Sequence, residues 1–185
     1  MNRDALPPMS MIARLFRPKA APEADPREAL RPLWHRIVEL SRDPRLYRDD
    51  GVADTVSGRF DMIAAILVVV LLRFERDRVL THEAVLLTEL FVEDMDGQLR
   101  ESGVGDLMVG KHMGRLVSVL GGRLGALRGA LADADDAALV DAIERNVAFG
   151  ERPDAAKVAG LVRGYAGALD AVSADDLRAA RIVLP

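Results

Sequence analysis

"GVGDLMVGKHMGRL", Gly103 to Leu116, carries Gly105, Gly110, Lys111 and His112 as G-x-x-x-x-G-K-H, one residue away from the phosphate-binding pattern G-x-x-x-x-G-K-[ST]. The two readings of this stretch lead to different folds. A phosphate loop needs a buried strand before it, a backbone that wraps the phosphates, a lysine, and a Ser or Thr hydroxyl for magnesium. Only the lysine is present. The residues before it, "LLTELFVEDMDGQLRES" (Leu86–Ser102), have helical periodicity, Asp106 sets a negative charge where phosphate belongs, and His112 replaces the hydroxyl. The stretch therefore reads as a junction between two helices, with Gly103 and Gly105 ending one and Asp106 capping the next. A P-loop-like nucleotide-binding protein is the least favoured of three functional readings.

Periodicity on both sides of the junction supports helices. Met113, Val117, Leu120, Leu124, Leu127 and Leu131 alternate spacings of four and three, which predicts a helix over Asp106–Ala132 packed lengthwise on another. From His82 to Ser102, Leu87, Phe91, Met95 and Leu99 line one face, and Glu89, Glu93, Asp96 and Arg100 lie away from it. The most apolar run, Met62–Leu72, sits between Asp61 and Arg73. Spanning a bilayer takes roughly 20 residues, so this run reads as the buried part of a helix over Thr55–Asp77. Asp25 and Pro26 open a first helix that Pro32 restarts or bends, and "RDPRLYRDDGVADTVSGRF" (Arg42–Phe60) reads as loop. Helices are also expected over Ala138–Phe149 and Asp154–Val172. A capping box of Ser173 and Asp176 starts a last one ending at Leu184. No segment alternates as a strand does. The fold class is all-α, a single-domain bundle of six or seven helices over residues 25–185; residues 1–24 read as a flexible basic and apolar head with a Pro-rich linker.

Composition narrows the function. The chain has 185 residues, 50% of them hydrophobic, and a net charge of −4, which gives no global electrostatic case for nucleic acid and none for DNA. Cysteine is absent, so thiol catalysis and thiolate metal sites are excluded. His35, His82 and His112 have no ligand spacing, and Asp94 and Asp96, two apart on a helix, cannot converge on one ligand. Asp96 suits an i,i+4 pair with Arg100, and Asp94 a pairing with Lys111 or Arg59. The sequence thus predicts no catalytic residues, no metal and no cofactor. With no export signal read in the head, a cytoplasmic location is expected.

Two motifs carry a resemblance. "GVADTVSGRFDMI" (Gly51–Ile63), with Gly58, Arg59, Phe60 and Asp61, precedes "FVEDMDGQLRESGVGDLMVGK" (Phe91–Lys111), with Asp94, Asp96, Arg100, Gly103, Gly105, Asp106 and Gly110. In this order and separation they resemble the ubiquinol-cytochrome c chaperone family, over about Leu33 to Leu131. The resemblance implies a non-catalytic helical protein that binds newly made cytochrome b and assists assembly of respiratory complex III. It also implies work at the cytoplasmic face of the inner membrane and, as in mitochondrial relatives, a small helical partner near the ribosome. A membrane-surface helical adaptor for another client is the second reading.

Two features of the Asp106–Ala132 helix are the candidate contacts. Lys111, Arg115, Arg123 and Arg128 have no acid among them, so they suit ribosomal RNA or anionic lipid, or form a solvated face paired with acidic segments elsewhere. Gly121, Gly125 and Gly129 recur every four residues at about 1 kcal/mol each relative to alanine. Such a ridge suits close approach of a client helix, tight packing inside the domain, or composition drift in an Ala- and Gly-rich chain. The head, with Arg14, Arg17 and Lys19 among Met9, Met11, Ile12, Leu15 and Phe16, suits either a membrane surface or an unstructured tail.

Overall fold

A computed structural model of the chain describes residues 25–101 and 106–183, with side chains given outside 99–113. A 3-10 turn, Pro26–Leu30, leads into α1 (Arg31–Ser41), α2 (Pro44–Arg48) and α3 (Val56–Glu75). A second 3-10 turn, Arg78–Leu80, precedes α4 (Thr81–Glu101), followed by α5 (Asp106–Ala132), α6 (Ala137–Asn146), α7 (Ala155–Asp170) and α8 (Ala174–Arg178). The all-α bundle expected from periodicity is the fold observed. Among the described residues the β geometry is one isolated bridge between Val52 and Phe149. The head and linker of residues 1–24 lie outside the described residues.

α3 is the axis of the molecule. The Thr55 hydroxyl accepts the Gly58 N–H at 3.1 Å and starts the helix. Every residue from Met62 to Leu72 is buried, because α1, α4, α5 and α7 all pack on α3. Charges at both ends of this run are tied to distant elements. Arg73 donates from Nε to the Leu169 carbonyl at 3.0 Å and from Nη2 to the Val172 carbonyl at 2.9 Å, satisfying acceptors at the C-terminus of α7. Asp61, at the other end, is described below.

Three local differences from the expected elements have local causes. α2 lies inside the stretch expected to be loop: Asp43 caps it by accepting the Arg45 N–H at 2.9 Å, Pro44 opens it, and Leu46 anchors it in the core. α6 stops at Asn146 and not at Phe149, because the chain beyond it pairs with the loop before α3. The Ala53 N–H donates to the Ala148 carbonyl and the Gly150 N–H to the Gly51 carbonyl, both at 2.9 Å. Gly51, at φ 78°, makes this pairing possible, since a Cβ there would stand 1.9 Å from the Arg152 carbonyl oxygen.

The last helix ends at Arg178 and not at Leu184, because Ala180 adopts φ 56°. The Arg181 N–H reaches back to the Asp176 carbonyl at 2.8 Å and the Ala180 N–H to the Leu177 carbonyl at 3.1 Å, the two bonds of a Schellman cap. Glycine is the usual occupant of such a position, and alanine strains it by roughly 1 kcal/mol. Ala180→Gly is therefore expected to raise the urea midpoint, by about 1 kcal/mol of unfolding free energy; a lowered midpoint would show that the left-handed turn is not formed in solution.

Candidate functional site

α5 turns inward most of the face that the leucine spacing suggested: Leu120 and Leu127 are buried, and Leu124 and Leu131 are half-buried against the core. Its buried positions are Leu120, Arg123, Leu127 and Ala130, while Val117 is 50% exposed. The buried line leans toward Arg123 and Ala130, so a cation occupies a core position. Arg123, expected among the surface contacts, is 9% exposed. Its Nη2 donates to Asp61 Oδ1 at 2.5 Å and its Nη1 to the Asp61 carbonyl at 3.3 Å. Arg123 therefore leaves the set of exposed contacts and becomes an internal one.

Asp61, 6% exposed, joins three elements. Oδ1 takes the Arg123 guanidinium of α5, Oδ2 accepts the Ala148 N–H at 2.9 Å, and the residue itself belongs to α3. The guanidinium also lies over the Phe60 ring, 5.4 Å from its centroid. Phe60 in turn packs on Phe91 of α4 at 6.0 Å, and Phe91 meets Trp34 of α1 edge-on at 6.1 Å. The motif at Gly58–Asp61 thus has a job for each residue. Gly58 is required because a Cβ would stand 2.0 Å from the Ala53 carbonyl oxygen. Arg59 is exposed and pairs at 2.7 Å with Asp54, not Asp94, and holds that carboxyl below the usual carboxylate range through this hydrogen bond.

The outer face of α5 is different in character. Gly114, Gly121, Gly122, Gly125 and Gly129 are exposed, and a Cβ added at any of them meets nothing within 4 Å. Packing inside the domain therefore does not explain the Gly121, Gly125 and Gly129 ridge. The face runs about 27 Å from Gly114 to Ala132 at 1.5 Å per residue. Arg115 is exposed on it, and Arg128 pairs with Glu75 of α3 at 2.8 Å.

Of the near-miss phosphate pattern, Gly110 and Lys111 fall inside α5, and the element before the junction is helix α4. A strand feeding a wrapped anion loop is not what precedes them. The side chains of Arg100, Asp106 and Lys111, and all of Gly103 and Gly105, lie outside the described residues. Asp94 lines a groove between α1 and α4, and Asp96 is half-buried. Among the described residues, no group of His, Asp and Glu is placed to hold a metal, and no helix is long and apolar enough to cross a membrane.

The sequence profile described as ubiquinol-cytochrome C chaperone matches residues 48–184. The chain belongs to this family. A solved structure, the crystal structure of the Cbp3 homolog from Brucella abortus, is similar to it at 30% identity and a TM-score of 0.76, over 85% of this chain and 89% of that one. No curated protein matches the chain. The family match begins at residue 48, later than the Leu33 read from the motifs, and runs past Leu131 through α6, α7 and α8 to residue 184. It takes in Ala148, the amide that Asp61 holds.

Removing one partner of a buried ion pair leaves a charge without compensation. Arg123→Met is expected to lower the stability of the chaperone by about 3–5 kcal/mol in urea unfolding. Adding Asp61→Asn to that variant restores a large part, since asparagine keeps an acceptor for the Ala148 N–H without the charge. Strictly additive losses would contradict the pairing.

Proposed function

We propose that the chain is a non-catalytic assembly chaperone that binds newly made cytochrome b and promotes assembly of ubiquinol-cytochrome c oxidoreductase. Family membership over residues 48–184 is the observation that carries this reading. The proposed client surface is the outer face of α5, with Gly121, Gly125 and Gly129 as the approach ridge and Lys111 and Arg115 at one end. Its length of about 27 Å approaches the thickness of a bilayer's hydrocarbon core, roughly 30 Å, and so matches most of one membrane-spanning client helix. Small residues let two helix backbones come close, which stabilises helix pairs through dispersion and weak contacts in place of long side chains. Arg115, exposed near one end, suits contact with anionic lipid headgroups or a ribosome, in keeping with work at the inner face of the cytoplasmic membrane. A small helical partner protein belongs to the same reading.

A membrane-surface adaptor for a different client would use the same α5 face. Proteins that co-purify with the chain separate the two.

The glycines give the reading a two-sided test. Because the ridge meets open space, changing Gly121, Gly125 and Gly129 to alanine is expected to stabilise the isolated protein by roughly 0.5–1 kcal/mol per site. Gly125→Leu is expected to leave the thermal midpoint nearly unchanged and to abolish capture of cytochrome b, with loss of the cytochrome b band in membrane difference spectra. Normal cytochrome b levels in cells carrying Gly125→Leu as the sole copy would remove this face, and normal levels in cells lacking the gene would remove the function.

A further inference from the structure

α1, α2 and α7 enclose a polar notch that shares no lining residue with α5. Arg36 and Leu40 of α1, Arg42 just after it, Pro44 and Arg45 of α2, and Tyr165 of α7 line its volume of about 550 Å³. Tyr165 is 2% exposed, and its hydroxyl makes no hydrogen bond among the described residues. A buried tyrosine normally finds a partner for its O–H. The other tyrosine, Tyr47, does so, donating to the Ser41 carbonyl at 2.6 Å. Arg36, which lines this notch alone, acts on the Tyr165 hydroxyl together with Asp43 and Arg45, whereas Asp49 and Asp50 of a neighbouring cavity do not. The hydroxyl therefore faces the notch. Burial, reinforced by the Asp43 carboxylate, pushes it above the usual tyrosine range, so it keeps its proton and is a donor.

The charges of the notch resolve pair by pair. Arg36 donates from Nη1 to Glu39 at 2.7 Å, and Arg45 donates from Nε and Nη2 to Asp43, at 2.7 Å for the closer contact. Those two carboxylates, the acids in the lining, neutralise those two cations. The Arg42 side chain has neither an ion pair nor a hydrogen bond among the described residues. Three arginines against two carboxylates leave one surplus positive charge, and it lies on Arg42. A guanidinium carries five N–H donors. All five of Arg42, those on Nε and Nη2 of Arg36, and those on Nη1 of Arg45 have no protein acceptor among the described residues. The notch thus offers N–H and O–H donors in excess of the acceptors that line it.

We propose that this notch binds the carboxylate of a small organic acid, with one oxygen on the Arg42 guanidinium, the other on the Tyr165 O–H, and Leu40 and Pro44 against the acid's apolar body. A single negative charge matches the single surplus cation, whereas a phosphate dianion exceeds it. The planar guanidinium fork fits the two oxygens of a carboxylate, and hydrogen bonds to an ionised acceptor are stronger than those between neutral groups. The volume falls within the range of small-molecule pockets, roughly 300–1,000 Å³, so the acid is larger than a bare ion. The site lies apart from the α5 face and does not depend on the identity of the client.

Titration of the full chain with sodium benzoate, followed through backbone amide NMR shifts, tests the site. Shifts are expected to cluster on Arg42–Arg45 and around Tyr165, with a dissociation constant on the order of 1 mM. Benzamide, which keeps the shape without the charge, is expected to bind about tenfold more weakly or worse. Inorganic phosphate, which lacks an apolar body, is also expected to bind more weakly. Tyr165→Phe keeps the ring and removes a hydroxyl that no described protein group uses, so it is expected to preserve the thermal midpoint and to weaken benzoate about tenfold. Arg42→Gln, at an exposed position, is expected to weaken benzoate by a similar factor without touching the core. Absence of clustered shifts, equal binding of benzamide, or benzoate binding that Arg42→Gln or a folded Tyr165→Phe leaves intact would overturn the proposal. Phosphate binding more tightly than benzoate would overturn the assignment to a carboxylate.

Discussion

The Asp61–Arg123 pair is the constraint on which the rest of the arrangement depends. A carboxylate and a guanidinium removed from water each lose several kcal/mol of solvation, which only close, multiply bonded geometry offsets. Here the carboxylate takes the guanidinium on one oxygen and the Ala148 amide on the other, and the guanidinium also reaches the Asp61 carbonyl and the Phe60 ring. These bonds fix the rotation of α5 about its own axis. With Arg123 turned inward, Gly121, Gly125 and Gly129 are turned outward.

The same pair binds the two halves of the chain. Asp61 lies in the motif-bearing first half, and Ala148 in the loop after α6, which also pairs with residues 51–53 through backbone bonds. The bundle is therefore closed at one end by backbone pairing around Asp61 and at the other by Arg73 on the carbonyls of α7. The apolar run between these two charged residues supplies the core, and the charged residues set its register.

The sequence made the helices legible because apolar spacing follows the helical period directly, and the limits of α3, α4 and α5 lie close to their expected limits. It did not reveal that Arg123 joins the inward side of α5. Val117, expected in the seam, is exposed and Ala130 buried in its place, and an arginine at 123 argued for solvent unless its partner was known. That partner lies 62 residues away, beyond the reach of any local pattern. α2 was hidden because its signals, Asp43 and Pro44, serve turns as well as helix starts. The open surroundings of the glycine ridge were equally invisible, since spacing alone does not distinguish a buried small-residue face from an exposed one. The notch at Tyr165 left no signal, as it arises where α1 and α2 meet α7, far along the chain.

The central claim is that the pinned rotation of α5 offers its glycine face to the client. Site-specific photo-crosslinking during synthesis of cytochrome b tests it most directly, with the probe placed in turn at Gly121, Gly125 and Gly129, and at Val56 and Val183 as controls, which are 87% and 88% exposed. The account predicts adducts with cytochrome b from the α5 positions and none from the controls. Equal adducts from Val56 or Val183, or none from α5, would contradict it.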